Sequence, residues 1–81
     1  MDNVHDDNYY FNIIRKNIKK YRNKRKITQQ QLADKSGVTM NYISKIESTK
    51  MNRGFTIVVL RRIADALEID IRLLFDNIEN K

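Results

Sequence analysis

Cysteine and proline are absent from the 81 residues of this chain, and glycine occurs only at Gly37 and Gly54. Without cysteine, neither a disulfide nor a zinc–thiolate site can stabilise the fold. The single histidine, His5, lies in a polar, acidic stretch and offers no metal site with its neighbours. Proline and glycine are the residues that most often interrupt helices. Their scarcity favours an all-α fold that depends on packing alone, with no metal and no cofactor.

Long apolar segments are also absent. A helix needs about 20 mostly apolar residues to cross a bilayer, and every apolar run in this sequence is far shorter. The N-terminus carries Asp2, Asp6 and Asp7, whereas a signal peptide begins with basic residues. We therefore expect a cytoplasmic protein that has no membrane partner.

Positive charge is concentrated in the middle of the chain, whose formal net charge is +6. Residues 1–14 contain three acidic and no basic residues, whereas residues 15–53 contain twelve Lys or Arg and two acidic residues. Residues 54–81 are nearly balanced, with four basic and five acidic residues. A basic block of this kind attracts polyanions, although a solvated surface that binds nothing has the same composition.

A capping pattern that occurs four times marks the starts of helices. In each case a residue that can cap a helix N-terminus is preceded by one apolar residue and followed four positions later by another, which suits a hydrophobic staple. The capping residues are Thr28, Thr39, Thr56 and Asp70. Gln31, three residues after the first of them, completes a capping box. Each cap predicts a helix that begins at the next residue.

A longer amphipathic helix is predicted before these four, over residues 8–24. Its apolar face consists of Tyr10 or Phe11, Ile14, Ile18 and Tyr21, at spacings of three and four. Its other faces carry Arg15, Lys16, Lys19, Lys20 and Lys24, most of which we interpret as a solvent-exposed surface. The sequence therefore predicts a compact five-helix domain over residues 8–78, with flexible ends at residues 1–7 and 79–81.

The second and third predicted helices have the spacing of a helix-turn-helix. Residues 29–36 form about two helical turns, Gly37 follows them, and Thr39 caps the next helix. Gly37 suits the position after a helix, where a left-handed backbone avoids a Cβ clash only in glycine. Ala33 is small enough for the next helix to cross closely. A simple corner of a helix bundle would have the same spacing, so the surface of the third helix decides between the two.

The third predicted helix has one polar but mostly uncharged face. At 100° per residue this face carries Met40, Asn41, Ser44, Lys45 and Ser48, and Ile43 and Ile46 lie on the opposite side. An ordinary solvated face favours Glu, Lys and Gln. Asn can instead contact adenine, Lys can contact guanine, and an apolar side chain can contact the methyl group of thymine. We therefore predict that Met40, Asn41, Ser44 and Lys45 contact DNA bases.

Three segments together resemble the Cro and phage-repressor helix-turn-helix family: TQQQLA at residues 28–33, SGVT at 36–39 and YISKIE at 42–47. The resemblance extends over about residues 14–75 and implies a lambda-repressor-like DNA-binding domain. Restriction-modification controller proteins of this family are similar in length, helix count and the Tyr-Ile-Ser core of the recognition helix. The resemblance also implies that residues 39–45 enter the major groove and that Arg22 and Glu47 form a structural ion pair.

Contacts with the DNA backbone are predicted around the same two helices and in the segment after them. The residues are Thr28, Gln29, Thr39, Tyr42, Lys50, Asn52 and Arg53. Gln29 is assigned to a phosphate by the resemblance, and the N-terminus of its helix also favours an anion. Residues 48–55 form a longer connection than is usual in the family, so the assignment of the last three residues depends on their charge and position.

The sequence thus predicts a bacterial or phage-type transcriptional regulator, a repressor or controller, that binds double-stranded DNA sequence-specifically. An antitoxin or protein-interaction module whose DNA binding is autoregulatory remains an alternative, because fold does not fix function. An enzyme is disfavoured, since the chain has no cysteine nucleophile, no phosphate-binding glycine motif and only His5 as an imidazole base.

The fifth predicted helix carries more large apolar residues than one small core is expected to cover. At 100° per residue, Ile71, Phe75 and Ile78 form a stripe beside the inward-facing Leu74. We predict that this stripe is the interface of a homodimer, although it can also cover the first and fourth helices of its own chain. A two-fold dimer would bind an inverted-repeat operator.

Overall fold

The computed structural model describes residues 8–48 and 55–77, which form four α-helices and one 3₁₀-helix without any strand. In chain order these are α1 (Asn8–Lys24), α2 (Gln29–Ser36), α3 (Met40–Glu47), α4 (Ile57–Leu67) and the 3₁₀-helix η1 (Ile71–Phe75). The predicted all-α class is confirmed. No helix in the described ranges combines the length and the apolar character that a bilayer-spanning segment needs.

The prediction of a fifth α-helix is wrong, because residues Ile71–Phe75 form hydrogen bonds of the 3₁₀ type. The N–H of Leu73 donates to the carbonyl of Asp70, and that of Asp76 donates to the carbonyl of Leu73. With three residues per turn, residues three apart lie on the same side. Ile71 is therefore half-buried beside the fully buried Leu74, whereas Phe75 remains 39% exposed. The expected α-helical stripe of Ile71 and Phe75 is not formed, and Ile78 lies outside the described residues.

The four predicted helix caps are confirmed. The side chains of Thr28, Thr39, Thr56 and Asp70 accept hydrogen bonds from the backbone N–H groups of Gln31, Tyr42, Val59 and Arg72. Gln31 also accepts from the N–H of Thr28 at 2.8 Å, which completes the capping box. The hydrogen-bonded guanidinium of Arg72 lowers the pKa of Asp70 to about 2, so this cap stays ionised at neutral pH.

A single aliphatic core joins all five elements. Its buried members are Ile14, Ile18, Leu32, Ala33, Ile43, Ile46, Leu60, Ile63, Ala64, Leu67 and Leu74. The apolar residues that precede the caps, Ile27, Val38, Phe55 and Ile69, pack against this core from its edge. α2 packs against both α3 and α4, and α1 packs against η1. The two short helices α2 and α3 are thereby held on a scaffold formed by the longer ones.

The buried face of α1 is wider than its apolar residues indicate. Phe11 is half-buried and Tyr10 is exposed, which decides between the two expected aromatic positions. Arg15 does not belong to the predicted solvent-exposed surface, because this residue is only 5% exposed. Its guanidinium carbon lies 6.0 Å from the ring centroid of Phe55, and its Nη1 donates to Oδ1 of Asn12 at 3.1 Å. An arginine can be buried in this way because its stem is apolar and its planar head group stacks on aromatic rings.

Asn17 is a second polar residue of α1 that the fold buries. Its Nδ2 donates to the carbonyl oxygens of Leu74 and Asp76, both at 2.8 Å. These carbonyls belong to the last turn of η1 and the residue after it, so Asn17 fixes the end of η1 to α1. The Oδ1 atom is buried and has no hydrogen-bond partner among the described residues.

Two helices end in a left-handed residue that is not glycine. Lys26 has a φ of 58° and Glu68 a φ of 59°. Each follows a helix whose end carries the paired hydrogen bonds of a Schellman motif, such as Ile27 N–H to Arg22 O and Lys26 N–H to Asn23 O after α1. A side chain at a left-handed position costs roughly 1–2 kcal/mol. These two turns therefore carry backbone strain that a glycine would relieve.

An ion pair between Arg22 and Glu47 joins the end of α1 to the end of α3. The guanidinium donates from Nε to Oε2 at 2.7 Å and from Nη2 to Oε1 at 2.9 Å. The third nitrogen, Nη1, donates to the carbonyl of Ile27 at 2.8 Å. The side chains are 12% and 3% exposed, so the pair is largely withdrawn from water. The ion pair expected from the family resemblance is present.

Replacing Lys26 with glycine should raise the free energy of unfolding by about 0.5–1 kcal/mol, because glycine adopts the left-handed conformation without strain. Lys19→Gly is the matched control, since it removes the same exposed side chain from the middle of α1. It should lower the free energy of unfolding by about 0.5–1 kcal/mol through the poor helix propensity of glycine. Denaturant unfolding measures both values. Equal losses in the two variants would contradict the argument from strain.

Glu47→Ala should lower the free energy of unfolding by about 3 kcal/mol, because it leaves the guanidinium of Arg22 buried without a counter-charge. Arg22→Ala should have a similar effect, and the double variant should lose much less than the sum. Thermal melts of the three variants complete the cycle. Asp65→Ala breaks the exposed pair with Arg61 and should change stability by less than about 0.5 kcal/mol. Additive losses at Arg22 and Glu47 would mean that the pair contributes no coupling energy.

Candidate nucleic-acid interface

The turn between α2 and α3 depends on the backbone of Gly37. This residue has a φ of 77° and a ψ of 15°, and its N–H donates to the carbonyl of Ala33 at 2.9 Å. A Cβ added here would have Arg62 Nη1 as its nearest neighbour, at 3.9 Å, which is an ordinary contact. Backbone strain rather than lack of space therefore favours glycine. The predicted helix-turn-helix is confirmed as a local structure.

One face of α3 is free of core contacts. Met40, at 42% exposed, is one of the few large apolar side chains that the described residues leave in solvent. Asn41 and Lys45 are also exposed, and Ser44 is half-buried. On the other side, Ile43 and Ile46 are fully buried. The structure thus places the four predicted base-contacting side chains outside the core. Their contact with DNA stays a prediction.

The threonines that cap α2 and α3 each have a hydroxyl proton in addition to their role as hydrogen-bond acceptors. Thr28 Oγ1 accepts from the N–H of Gln31 at 3.0 Å, and Thr39 Oγ1 accepts from the N–H of Tyr42 at 3.1 Å. A hydroxyl that accepts a hydrogen bond can still donate its own proton. Both threonines are exposed at the start of an eight-residue helix, where the helix dipole favours a negative group. A phosphate oxygen is an acceptor that matches this arrangement.

Gln29 is the first residue of α2, and its side chain turns towards the end of α3. Its Nε2 donates to Oε1 of Glu47 at 3.0 Å. The residue as a whole is half-buried. This contact was not predicted from the sequence, because it joins positions 18 residues apart on two different helices. The only sequence signal was that both residues belong to segments that resemble the same family.

Tyr42 lies at the edge of the core, half-buried and packed against it. Burial raises the pKa of the Tyr42 phenol above its usual value of 10.0. The group is therefore protonated at neutral pH and can donate to a phosphate oxygen. The remaining predicted backbone contacts, Lys50, Asn52 and Arg53, lie outside the described residues.

The two acidic side chains of this region have different partners. α2 and α3 contain only Asp34 and Glu47. Asp34 accepts a hydrogen bond from Nε2 of Gln30 at 2.9 Å, and Glu47 forms an ion pair with Arg22. The charge of Glu47 is thus balanced by Arg22, whereas the exposed Asp34 keeps its negative charge, because a neutral amide donor does not cancel it. Within residues 8–48 and 55–77 there is also no cluster of three His, Cys, Asp or Glu side chains that could hold a metal ion.

A cavity of about 170 Å³ lies away from this surface, between α1 and the residues that follow η1. Its lining includes Asn12, Asn17 and Asp76, and no residue of α2 or α3 contributes to it. The cavity does not take part in the helix-turn-helix.

Several solved structures are similar to the chain. The restriction-modification controller protein C.AhdI from Aeromonas hydrophila is 26% identical with a TM-score of 0.73, and the match covers 80% of this chain and 96% of that one. A variant of the controller protein C.Esp1396I is 33% identical with a TM-score of 0.75, covering 83% and 84%. The N-terminal DNA-binding domain of SinR from Bacillus subtilis is 29% identical with a TM-score of 0.73, covering 82% and 94%.

A comparison with curated proteins finds no match. A family model described as helix-turn-helix matches residues 18–74, which is well over half of the chain. The matched range begins within α1 and ends within η1, so it contains α2, the turn, α3 and α4 completely. This chain belongs to the helix-turn-helix family of the Cro and C1 type.

Proposed function

We propose that this protein binds double-stranded DNA and regulates transcription. The observation that carries the proposal is the exposed polar face of α3, the second helix of a helix-turn-helix whose two helices are joined through Gly37. Family membership supports it, and so do the similar structures, which include two restriction-modification controllers and a DNA-binding domain. The protein acts by binding rather than by catalysis.

In the proposed complex, α3 lies in the major groove. Met40 and Asn41 lie in its first turn and Ser44 and Lys45 in its second, so one face carries groups that can contact several consecutive base pairs. Asn41 can pair with adenine and Lys45 with guanine, while Met40 can pack on a thymine methyl group. These side chains supply sequence discrimination.

Phosphates on either side of the groove are contacted by the ends of the two helices. Thr28, Gln29, Thr39 and Tyr42 present hydroxyl or amide donors there. Lys50, Asn52 and Arg53 are included among the phosphate contacts on the basis of sequence alone. Contacts of this kind fix the position of the protein on the duplex and supply much of the affinity, but they do not distinguish sequences.

The finer functional class that we propose is a controller or repressor that binds an inverted repeat as a dimer. Its support comes from apolar side chains that the described fold leaves in solvent: Phe75 on η1, and Ile57 and Val58 at the start of α4. α4 and η1 pack against each other. Ile71 is half-buried within its own chain and contributes less than expected. Two-fold pairing would place two copies of α3 on half-sites about 34 Å apart.

Asn41→Ala and Lys45→Ala should each weaken binding to the preferred duplex by about 1–3 kcal/mol and relax base preference at one position. The preferred duplex is obtained first, by selection from random sequences with the natural chain. Lys35→Ala is the control, because it removes an exposed charge from α2 without altering α3. Natural affinity of both α3 variants for the selected duplex would show that this face does not contact bases.

Phe75→Ser should shift the protein from dimer to monomer and weaken binding to the inverted repeat, while binding to a single half-site is retained. Leu74 and Ile71 are unchanged in this variant, so the core contacts of η1 remain. Tyr10→Ser, which removes an exposed aromatic residue from α1, should leave the dimer intact. Analytical ultracentrifugation and duplex titration measure both properties. A folded Phe75→Ser monomer that binds the inverted repeat with natural affinity would contradict the dimer model.

A further inference from the structure

The carboxylate of Glu47 accepts three hydrogen bonds, of which only two come from its ion-pair partner. Arg22 donates once to each oxygen, and Gln29 donates to Oε1 as a third partner at 3.0 Å. The side chain of Glu47 is 3% exposed and that of Arg22 is 12% exposed, while Gln29 is half-buried at the first position of α2. The cluster therefore runs from the interior of the domain to the start of α2.

The hydrogen bond from Gln29 adds little to the ion pair itself. The geometry of Arg22 and Glu47 is already bidentate, and their charges already cancel. An ionised carboxylate has about four acceptor positions, so Oε1 can receive the amide without losing the guanidinium. The contact is therefore better explained by its effect on the orientation of Gln29 than by any added stabilisation of Glu47.

A glutamine carboxamide has a donor end and an acceptor end of nearly equal shape. Only the donor end can bind a phosphate, and a carbonyl oxygen turned towards a phosphate would repel it. Because the Glu47 carboxylate only accepts, it selects the orientation in which the Gln29 nitrogen faces it. That nitrogen carries two protons. Glu47 accepts a hydrogen bond from one of these N–H groups. The second N–H belongs to the same, correctly oriented carboxamide and can donate to another acceptor.

We propose that Glu47 is a positioning residue for DNA binding, which holds the Gln29 carboxamide with its second N–H available to a phosphate. This inference rests on the proposed function, since it assigns Gln29 to the DNA backbone. Arg22 takes part by holding the Glu47 carboxylate in place, and its positive charge offsets the repulsion between that carboxylate and the duplex. The pair thus contributes to affinity separately from its contribution to stability.

The test separates affinity from stability by replacing the ion pair with apolar residues. Exchange of a buried pair for hydrophobic residues of similar volume is often neutral for stability, so the double variant Arg22→Met with Glu47→Met serves as a second background. Gln29→Ala is made in both backgrounds. The probe is a random-sequence duplex at low ionic strength, because a phosphate contact is independent of sequence.

In the natural background, Gln29→Ala should lower the affinity about tenfold without changing the melting temperature. The affinity of the double-methionine variant should already be lower than that of the natural chain by a similar factor. Adding Gln29→Ala to this variant should change the affinity less than about twofold. Gln30→Ala is the matched control, because this exposed glutamine is bonded to Asp34 instead. Its effect should be the same in both backgrounds.

A folded double-methionine variant in which Gln29→Ala still costs about tenfold would overturn the positioning role. If that variant does not fold, amide exchange in the natural chain decides the matter by NMR. The side-chain amide of Gln29 should exchange more slowly than that of Gln30, and exchange at the same rate would overturn the proposal. Failure of the natural chain to bind any duplex would instead refute the proposed function. Duplex binding that is unaffected by Gln29→Ala would refute only the positioning role.

Discussion

The arrangement of the helix-turn-helix depends on the guanidinium of Arg22. α2 and α3 contain eight residues each, and helices of that length are not stable in water by themselves. Their angle to the rest of the domain must therefore be fixed from outside. Arg22 does this with three hydrogen bonds, which hold the chain before α2 through Ile27 and the end of α3 through Glu47. The core supplies most of the stability and packs the two helices against the scaffold, and this side chain ties the chain before α2 to the end of α3.

Local chemistry explains what could be predicted from the sequence. A cap and its staple involve residues only a few positions apart, so Thr28, Thr39, Thr56 and Asp70 marked helix starts correctly. Gly37 was identifiable for the same reason, since its conformation is required by the turn itself. The exposed face of α3 followed from helical periodicity. The pairing of Arg22 with Glu47 came from family resemblance, because no local pattern links two residues on separate helices.

Tertiary contacts decide the features that the sequence did not reveal. Arg15 and Asn17 are polar, yet Phe55 and the carbonyl groups at the end of η1 provide partners that permit their burial. The course of the chain imposes a left-handed backbone conformation on Lys26, although a lysine favours the right-handed conformation. η1 is held between a cap and Asn17, which leaves room for five residues of 3₁₀-helix. At the candidate site, the hydrogen bond from Gln29 to Glu47 was not predicted, because it is also a tertiary contact between residues on separate helices.

The attachment of η1 through Asn17 has a consequence for the dynamics of the domain. Only Leu74 of this segment is fully buried, and the Asn17 carboxamide binds the carbonyls of Leu74 and of Asp76 just after η1, while its oxygen has no hydrogen-bond partner among the described residues. Such a segment can open as a cooperative unit at a lower free energy than global unfolding. In the proposed dimer, a second subunit that binds only the closed form would shift this local equilibrium towards closure by mass action. Protein concentration would then control the order of the C-terminal segment as well as the number of assembled dimers.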